Sequence, residues 1–225
     1  MHAGVGDLPR LVEDLTSGRM VGIAPRDFVL LLQEAVQGGA HDPANVARER
    51  HLFVYYVVVR RSAARISGNA IVATLPLTNT REIALPRARQ MRSAAEATIG
   101  IDGTNLFVVD AHLENRISIL RGALFSDTAR GRQADALLEA IPPAGHGIAG
   151  GDFNTWLGPN EPAWKKFLAR FRDTPAGRSE PTFRDRLVLD HLFFDVPEGW
   201  RVTRRVIHER YHSDHNPVAG LLETR

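Results

Sequence analysis

Short apolar segments, most of them closed by Gly, Pro, Asn or Asp, follow one another along the whole chain. That spacing favours many short strands with only a few helices between them. The clearest join is Asp102-Gly103, a tight-turn signal that predicts a hairpin between Arg92–Ile99 and Asn105–Asp110. Phe28–Leu32 reads as a buried strand ending at Gln33-Glu34, and His51–Arg60 and Ala70–Thr74 read as two more. Ile148-Ala149, Leu187–Phe194, Arg201–Ile207 and Val218–Leu222 complete the expected strands. Helices are expected after Asp7, where Leu8, Leu11, Val12 and Leu15 share one face, over Thr128–Ala140, and over Glu161–Phe171 behind Pro162. Residues 37–50 are polar and irregular. The pattern predicts an α/β (α+β) chain: two mainly antiparallel sheets flanked by helices, forming one domain over residues 1–225.

Composition narrows the chemistry. At 225 residues and 44% hydrophobic, the chain has the apolar mass for a sizeable core. The absence of cysteine excludes disulfides, thiolate metal sites and a cysteine nucleophile. The longest strongly apolar stretch, Leu52–Val59, is far short of the ~18 residues of a membrane helix, so no membrane span is expected. A formal net charge of +2 neither demands nor excludes nucleic acid. Arg81, Arg87, Arg89 and Arg92 form one basic cluster and Arg201, Arg204, Arg205 and Arg210 another; either could contact a polyanion, and both are read first as solvated strand faces.

Five segments carry groups able to do chemistry. Glu34 closes a very apolar strand, so its carboxylate projects from a rigid end and suits a hard cation such as Mg²⁺. Asp110 and His112 alternate onto one face at the end of the strong strand Leu106–Val109. In Gly150-Gly151-Asp152-Phe153-Asn154 the glycines permit tight backbone geometry, Phe153 anchors the loop, and Asp152 and Asn154 point the other way. Asp190 lies in a strand and is costly to bury unpaired. Ser213-Asp214-His215-Asn216-Pro217 offers an acid and an imidazole, and Asp190 is the expected carboxylate partner of His215. Taken singly, each segment also has a bland reading as a turn or an exposed strand end. A zinc site is weakly supported, because no second cluster of histidines at ligand spacing joins His212, Asp214 and His215. No Gly-x-Ser-x-Gly elbow points to a serine hydrolase.

In this order the segments resemble the endonuclease/exonuclease/phosphatase superfamily, with Gly151-Asp152-Phe153-Asn154 and Ser213-Asp214-His215-Asn216-Pro217 as the most specific pair. The resemblance implies a four-layer α-β-β-α sandwich and metal-dependent hydrolysis of phosphoester bonds by in-line attack of water. It assigns Mg²⁺ or Mn²⁺ to Glu34 and Asp214, and catalysis to His112, Asp152, Asn154, Asp190 and His215. The expected partner is a phosphorylated substrate, either nucleic acid or a small phosphoester, acted on by a monomer. One departure stands out. The family begins with a strand ending in Asn, whereas this chain starts Met1-His2-Ala3-Gly4, close to its first helix. If that strand is absent, a sheet edge is left unfilled and the metal site lacks one ligand. The alternative is then a non-catalytic member that binds a phosphorylated ligand or a protein.

Overall fold

A computed structural model describes residues 5–115, 124–176 and 180–224. The first helix, α1 (Leu8–Thr16), forms where the sequence puts it: the Asp7 carboxylate accepts from the Arg10 amide, Pro9 enters the first turn, and Leu8, Leu11, Val12 and Leu15 are buried. Next come β1 (Val29–Val36), α2 (Pro43–Glu49), β2 (Phe53–Arg61), β3 (Ile66–Ala73) and β4 (Thr78–Ala84). The hairpin of β5 (Ser93–Ile101) and β6 (Thr104–His112) turns at Asp102-Gly103 as expected. The chain continues through α3 (Leu124–Ala140), β7 (Gly147–Asp152), α4 (Pro162–Arg170), β8 (Asp190–Asp195), β9 (Arg201–Val206) and β10 (Val218–Glu223).

Two elements differ from the sequence reading. Residues 37–50, expected to be irregular, contain α2: Asp42 caps it through the Ala44 amide, Pro43 opens it, and Val46 and Ala47 are buried. The strand β4 has no alternating pattern because only Ile83 of its residues is buried. Its pairing with β5, not its own sequence, makes it a strand.

The elements stack in four layers, α-β-β-α. One sheet has five strands in the order β4-β5-β6-β7-β8. Only β6 and β7 run parallel in it, and α3 supplies the long crossover this requires. Its outer face packs on α3 and α4 through Leu137, Phe153, Phe167, Phe171 and Phe193. The second layer holds β1-β3-β2 and, separately, β10-β9. Its outer face packs on α1 and α2 through Leu8, Val12, Leu32, Val46 and Ile207. The inner faces meet through Ile71, Ala95, Ile99, Leu106 and Val108.

Among the described residues, β1 pairs only with β3, and β10 only with β9. Each therefore carries an open edge among the described residues. A cavity of about 1290 Å³ runs along both, lined by β1, by β10 and by Ile99, Val108, Ile148 and Phe194 of the other sheet. One end of this cavity is the cleft that gathers the chemical groups.

Candidate active site

The five-stranded sheet sets the first row of the site. Register pairs His112 of β6 with Asp152 of β7, and Asp152 with Asp190 of β8. Three residues remote in sequence therefore stand side by side, one strand spacing apart. The close packing of β6 on β7 explains the glycine before Asp152. Gly151 has φ +133°, and a Cβ there would lie 2.0 Å from the Ala111 carbonyl oxygen. Beyond Asp152, Phe153 sits fully in the core, so Asp152 and Asn154 are fixed beside the cleft. The Asn154 amide N–H donates to Asp152 Oδ1 at 2.9 Å, and Asn154 Nδ2 donates to the Leu113 carbonyl at 3.2 Å.

The second layer adds the remaining groups. Register between β1 and β3 slips by one residue between Leu32 and Ala35, a bulge that contains Glu34 at φ +54°. The extra residue turns the Glu34 carboxylate outward at the cleft, while Leu32 and Ala35 stay buried. On the other side, Asn216 sews the 213–217 segment to residues 181–182: its amide N–H donates to the Thr182 carbonyl at 2.7 Å and its Nδ2 to the Pro181 carbonyl at 3.3 Å. His215 then packs on Phe183, ring centroids 4.8 Å apart, and its Nδ1 donates to Asp190 Oδ2 at 2.7 Å. The expected Asp190–His215 pair is present. Asp214 Oδ1 lies 4.0 Å from His215 Nε2.

Burial and charge give these groups distinct protonation states. Burial works against a charged His215, but the Asp190 hydrogen bond, with the charges of Asp190, Asp152 and Asp214, pushes it up to about 9. It is an imidazolium at neutral pH. Burial, followed by the Asp190 charge, pushes Asp152 up to about 7, against the pull of His215, the Asn154 amide and Arg92. Burial, with Arg92 and His215, holds His112 well below the usual imidazole range, so this ring is neutral, with Nε2 3.3 Å from Asp152 Oδ2. The neighbouring His191 is structural: burial drives it down to about 3, and its Nε2 meets the Thr155 hydroxyl at 2.7 Å.

Three further residues escape a motif reading. Arg92, grouped by sequence with solvated arginines, is largely buried, and its charge faces Asp152, Glu114 and Glu34. Arg81 of the same cluster pairs with Glu96 at 2.7 Å. Glu114, two residues past His112, accepts from the Arg89 and Gln90 amides, both at 3.0 Å, and so pins the β4–β5 loop beside the cleft. The Thr182 hydroxyl accepts from the Leu189 and Asp190 amides at 3.0 and 3.1 Å, fixing the start of β8. The only local signal for these is their nearness to motif residues.

The seven residues singled out by sequence, Glu34, His112, Asp152, Asn154, Asp190, Asp214 and His215, all line one cleft. Among the described residues no three His, Asp or Glu side chains form a ready metal cage. No helix of the described residues is long and apolar enough to cross a membrane.

Solved structures with the same fold include an endonuclease/exonuclease/phosphatase from Beutenbergia cavernae DSM 12333 (TM-score 0.69, 18% identity), covering 95% of this chain. The chain spans 65% of that protein's length. The human Nocturnin catalytic domain with bound sulfate matches at TM-score 0.62 and 16% identity, over 86% of this chain and 80% of that one. Sphingomyelinase C from Streptomyces griseocarneus matches at TM-score 0.63 and 20% identity, over 94% and 90%. No match is found among curated proteins. Residues 7–215 match the Endonuclease/Exonuclease/phosphatase family, so the chain that carries this cleft belongs to that family.

Proposed function

We propose that the chain hydrolyses phosphoester bonds by in-line attack of water, with a divalent cation at Glu34. The observation that carries this reading is convergence: acids, an amide and two imidazoles from five remote segments line one cleft. The donor chemistry fits Mg²⁺ or Mn²⁺. Glu34 offers an exposed carboxylate from a bulge in a half-buried strand, and Asp214 a partly buried one on the same cleft. Mg²⁺ takes one or two carboxylates and keeps several waters, so a full protein cage is unnecessary. When bound, the ion polarises a phosphate oxygen and offsets charge on the leaving oxygen.

The chain's own groups divide the remaining work. Asp152, at about 7, is poised to orient a water and take its proton. The His215 imidazolium, aimed by Asp190, holds non-bridging phosphate oxygens as their charge grows. Neutral His112 and the Asn154 amide serve the same oxygens without adding net charge. The phosphate is the shared chemistry of nucleic acid and small phosphoesters, and Trp156 with Phe183 gives the rim an aromatic pair, ring centroids 6.2 Å apart.

The test is turnover of bis-p-nitrophenyl phosphate with Mg²⁺ by the parent chain and by the Asp152→Asn and His215→Ala variants. Both variants are expected to lose activity, and parental rates in both would refute the assignment. A second reading, a non-catalytic phosphate binder, draws on the His215 imidazolium at the cleft, a charge that suits a bound phosphate with or without turnover. It predicts phosphoester binding by the parent chain with no turnover at any metal concentration.

A further inference from the structure

Side-chain bonds among the described residues join the two layers at the site. One, from His215 to Asp190, is part of the proposed chemistry. Another is not: Gln33 Nε2 donates to Asp110 Oδ1 at 2.5 Å, crossing from β1 to β6. Asp110 is fully buried, an unfavourable place for a carboxylate, and burial pushes it up to about 7. The same Gln33 nitrogen donates to the Leu31 carbonyl at 3.1 Å, and it lies 3.1 Å from where a Cβ on Gly151 would stand. Gln33 is therefore wedged between its own strand, Asp110 and the glycine preceding Asp152.

The next residue is Glu34, at φ +54° in the bulge. A non-glycine residue persists in that region only where its surroundings over-determine it. On the β3 side, pairing resumes at Ala35 with Gly68. On the other side β1 has an open edge, so among the described residues no strand holds the bulge there. The cross-layer bond at the adjacent Gln33 gives the bulge a fixed point on the opposite sheet.

We propose that the Gln33–Asp110 bond is a positioning device, which locks the bulge and so aims the Glu34 carboxylate at the cleft for a divalent cation. Gln33 and Asp110 are positioning residues acting through Glu34. The inference rests on the reading of Glu34 as a cation ligand. Supporting groups of this kind typically change metal affinity by ~10–100-fold when removed. A burial-only role for Asp110 makes a different prediction, since it leaves cation affinity unchanged.

The experiment measures Mn²⁺ binding to the purified full chain by the electron paramagnetic resonance signal of free Mn²⁺, with thermal midpoints alongside. Glu34→Gln is expected to weaken binding at least tenfold. Asp110→Ala should weaken it ~10–100-fold, while Asp110→Asn, which keeps an acceptor for Gln33, stays within about threefold of the parent. Leu137→Ala, a control in the α3 core, should lower the midpoint and leave Mn²⁺ affinity unchanged. Should Asp110→Ala fail to fold, Gln33→Met removes the donor and is judged by the same measure. Weakening by Glu34→Gln with parental affinity in Asp110→Ala overturns the positioning role alone, as does equal weakening in Asp110→Asn and Asp110→Ala. Parental affinity in Glu34→Gln overturns both this role and the reading of Glu34 beneath it.

Discussion

The five-stranded sheet and the layer facing it contribute to the same cleft by different means. In the first, His112, Asp152 and Asp190 are neighbours on hydrogen-bonded strands, so backbone register alone fixes their spacing. In the second, β1 and β10 are separated by a cavity, and their groups reach the cleft from a bulge and a loop. Side-chain bonds then tie them to the opposite sheet, Gln33 to Asp110 and His215 to Asp190. Where a sheet is continuous, the backbone places the chemistry. Where it is split, buried polar side chains take over that task, and single substitutions should separate the two arrangements.

The largest effect is expected on the backbone-placed side. Asp152→Asn should lower kcat by ~10²–10⁴, the usual contribution of a positioned acid or base. It should also stabilise the fold. Asp152 sits at about 7 in the folded chain against 3.8 as the unperturbed value. A raised carboxyl contributes stability that is complete below its unfolded value and lost as pH rises through about 7. The variant, which cannot ionise, should therefore melt higher than the parent at pH 8, by about 1–2 kcal/mol or roughly 2–8 °C. The gap should close towards pH 4, as thermal scans at both values would reveal. In the parent, kcat/KM should rise with pH through about 7 as Asp152 ionises. A profile flat between pH 5.5 and 8.5 would remove Asp152 from the role of base.

For His215, the side-chain-placed group, Asp190→Asn should lower kcat by ~10²–10³ by removing its charged partner. The His215 ring, held at about 9 in the parent, should then titrate at lower pH, which proton or nitrogen NMR of the ring reads directly. An unchanged titration would mean that the 2.7 Å contact does not set its charge. The pair's stabilising effect runs opposite to the usual carboxylate case. It is full below 6.5 and fades as pH rises through about 9.

Two leucines sharpen the contrast in packing. Leu137 is fully buried under α3, and its replacement by Ala should cost about 2–5 kcal/mol. Leu192 lines the cavity between the layers, so Leu192→Ala removes fewer contacts and should fall at or below the low end of that range. Equal losses in urea titrations would mean that the split layer packs as tightly as the closed one. The smallest effect concerns exchange. Backbone amides of β1 and β10 should exchange with deuterium sooner than those of β5 and β6, because each of the former strands has one open edge.

The chemical groups of both parts were legible in the sequence, the Asp190–His215 pair included, whereas most of the contacts that hold them in place were not. Gly151-Asp152-Phe153-Asn154 could be read because turn, anchor and chemistry are local: Phe153 enters the core and its neighbours Asp152 and Asn154 line the cleft. The hairpin at Asp102-Gly103 was legible for the same reason. By contrast, β4 is a strand through its partner, and α2 is only seven residues long, signalled by little more than Asp42-Pro43. Arg92 looked like a solvated arginine because nothing near it in sequence reveals the carboxylates that face it. Glu114 resembled any charged residue after a strand, although its work is to hold two amides 24 and 25 residues earlier in the chain. Contacts between distant segments leave no local pattern to read.

The row His112, Asp152, Asp190 has a consequence for how such a protein can diversify. Its length is two strand-to-strand steps, roughly 10 Å, and Gly151 admits no bulkier residue that would spread the strands. Evolution cannot retune that yardstick by degrees. On the proposed function, substrates of other shapes would be met at its two ends, by the loop that Glu114 pins and by the turn that carries Phe183.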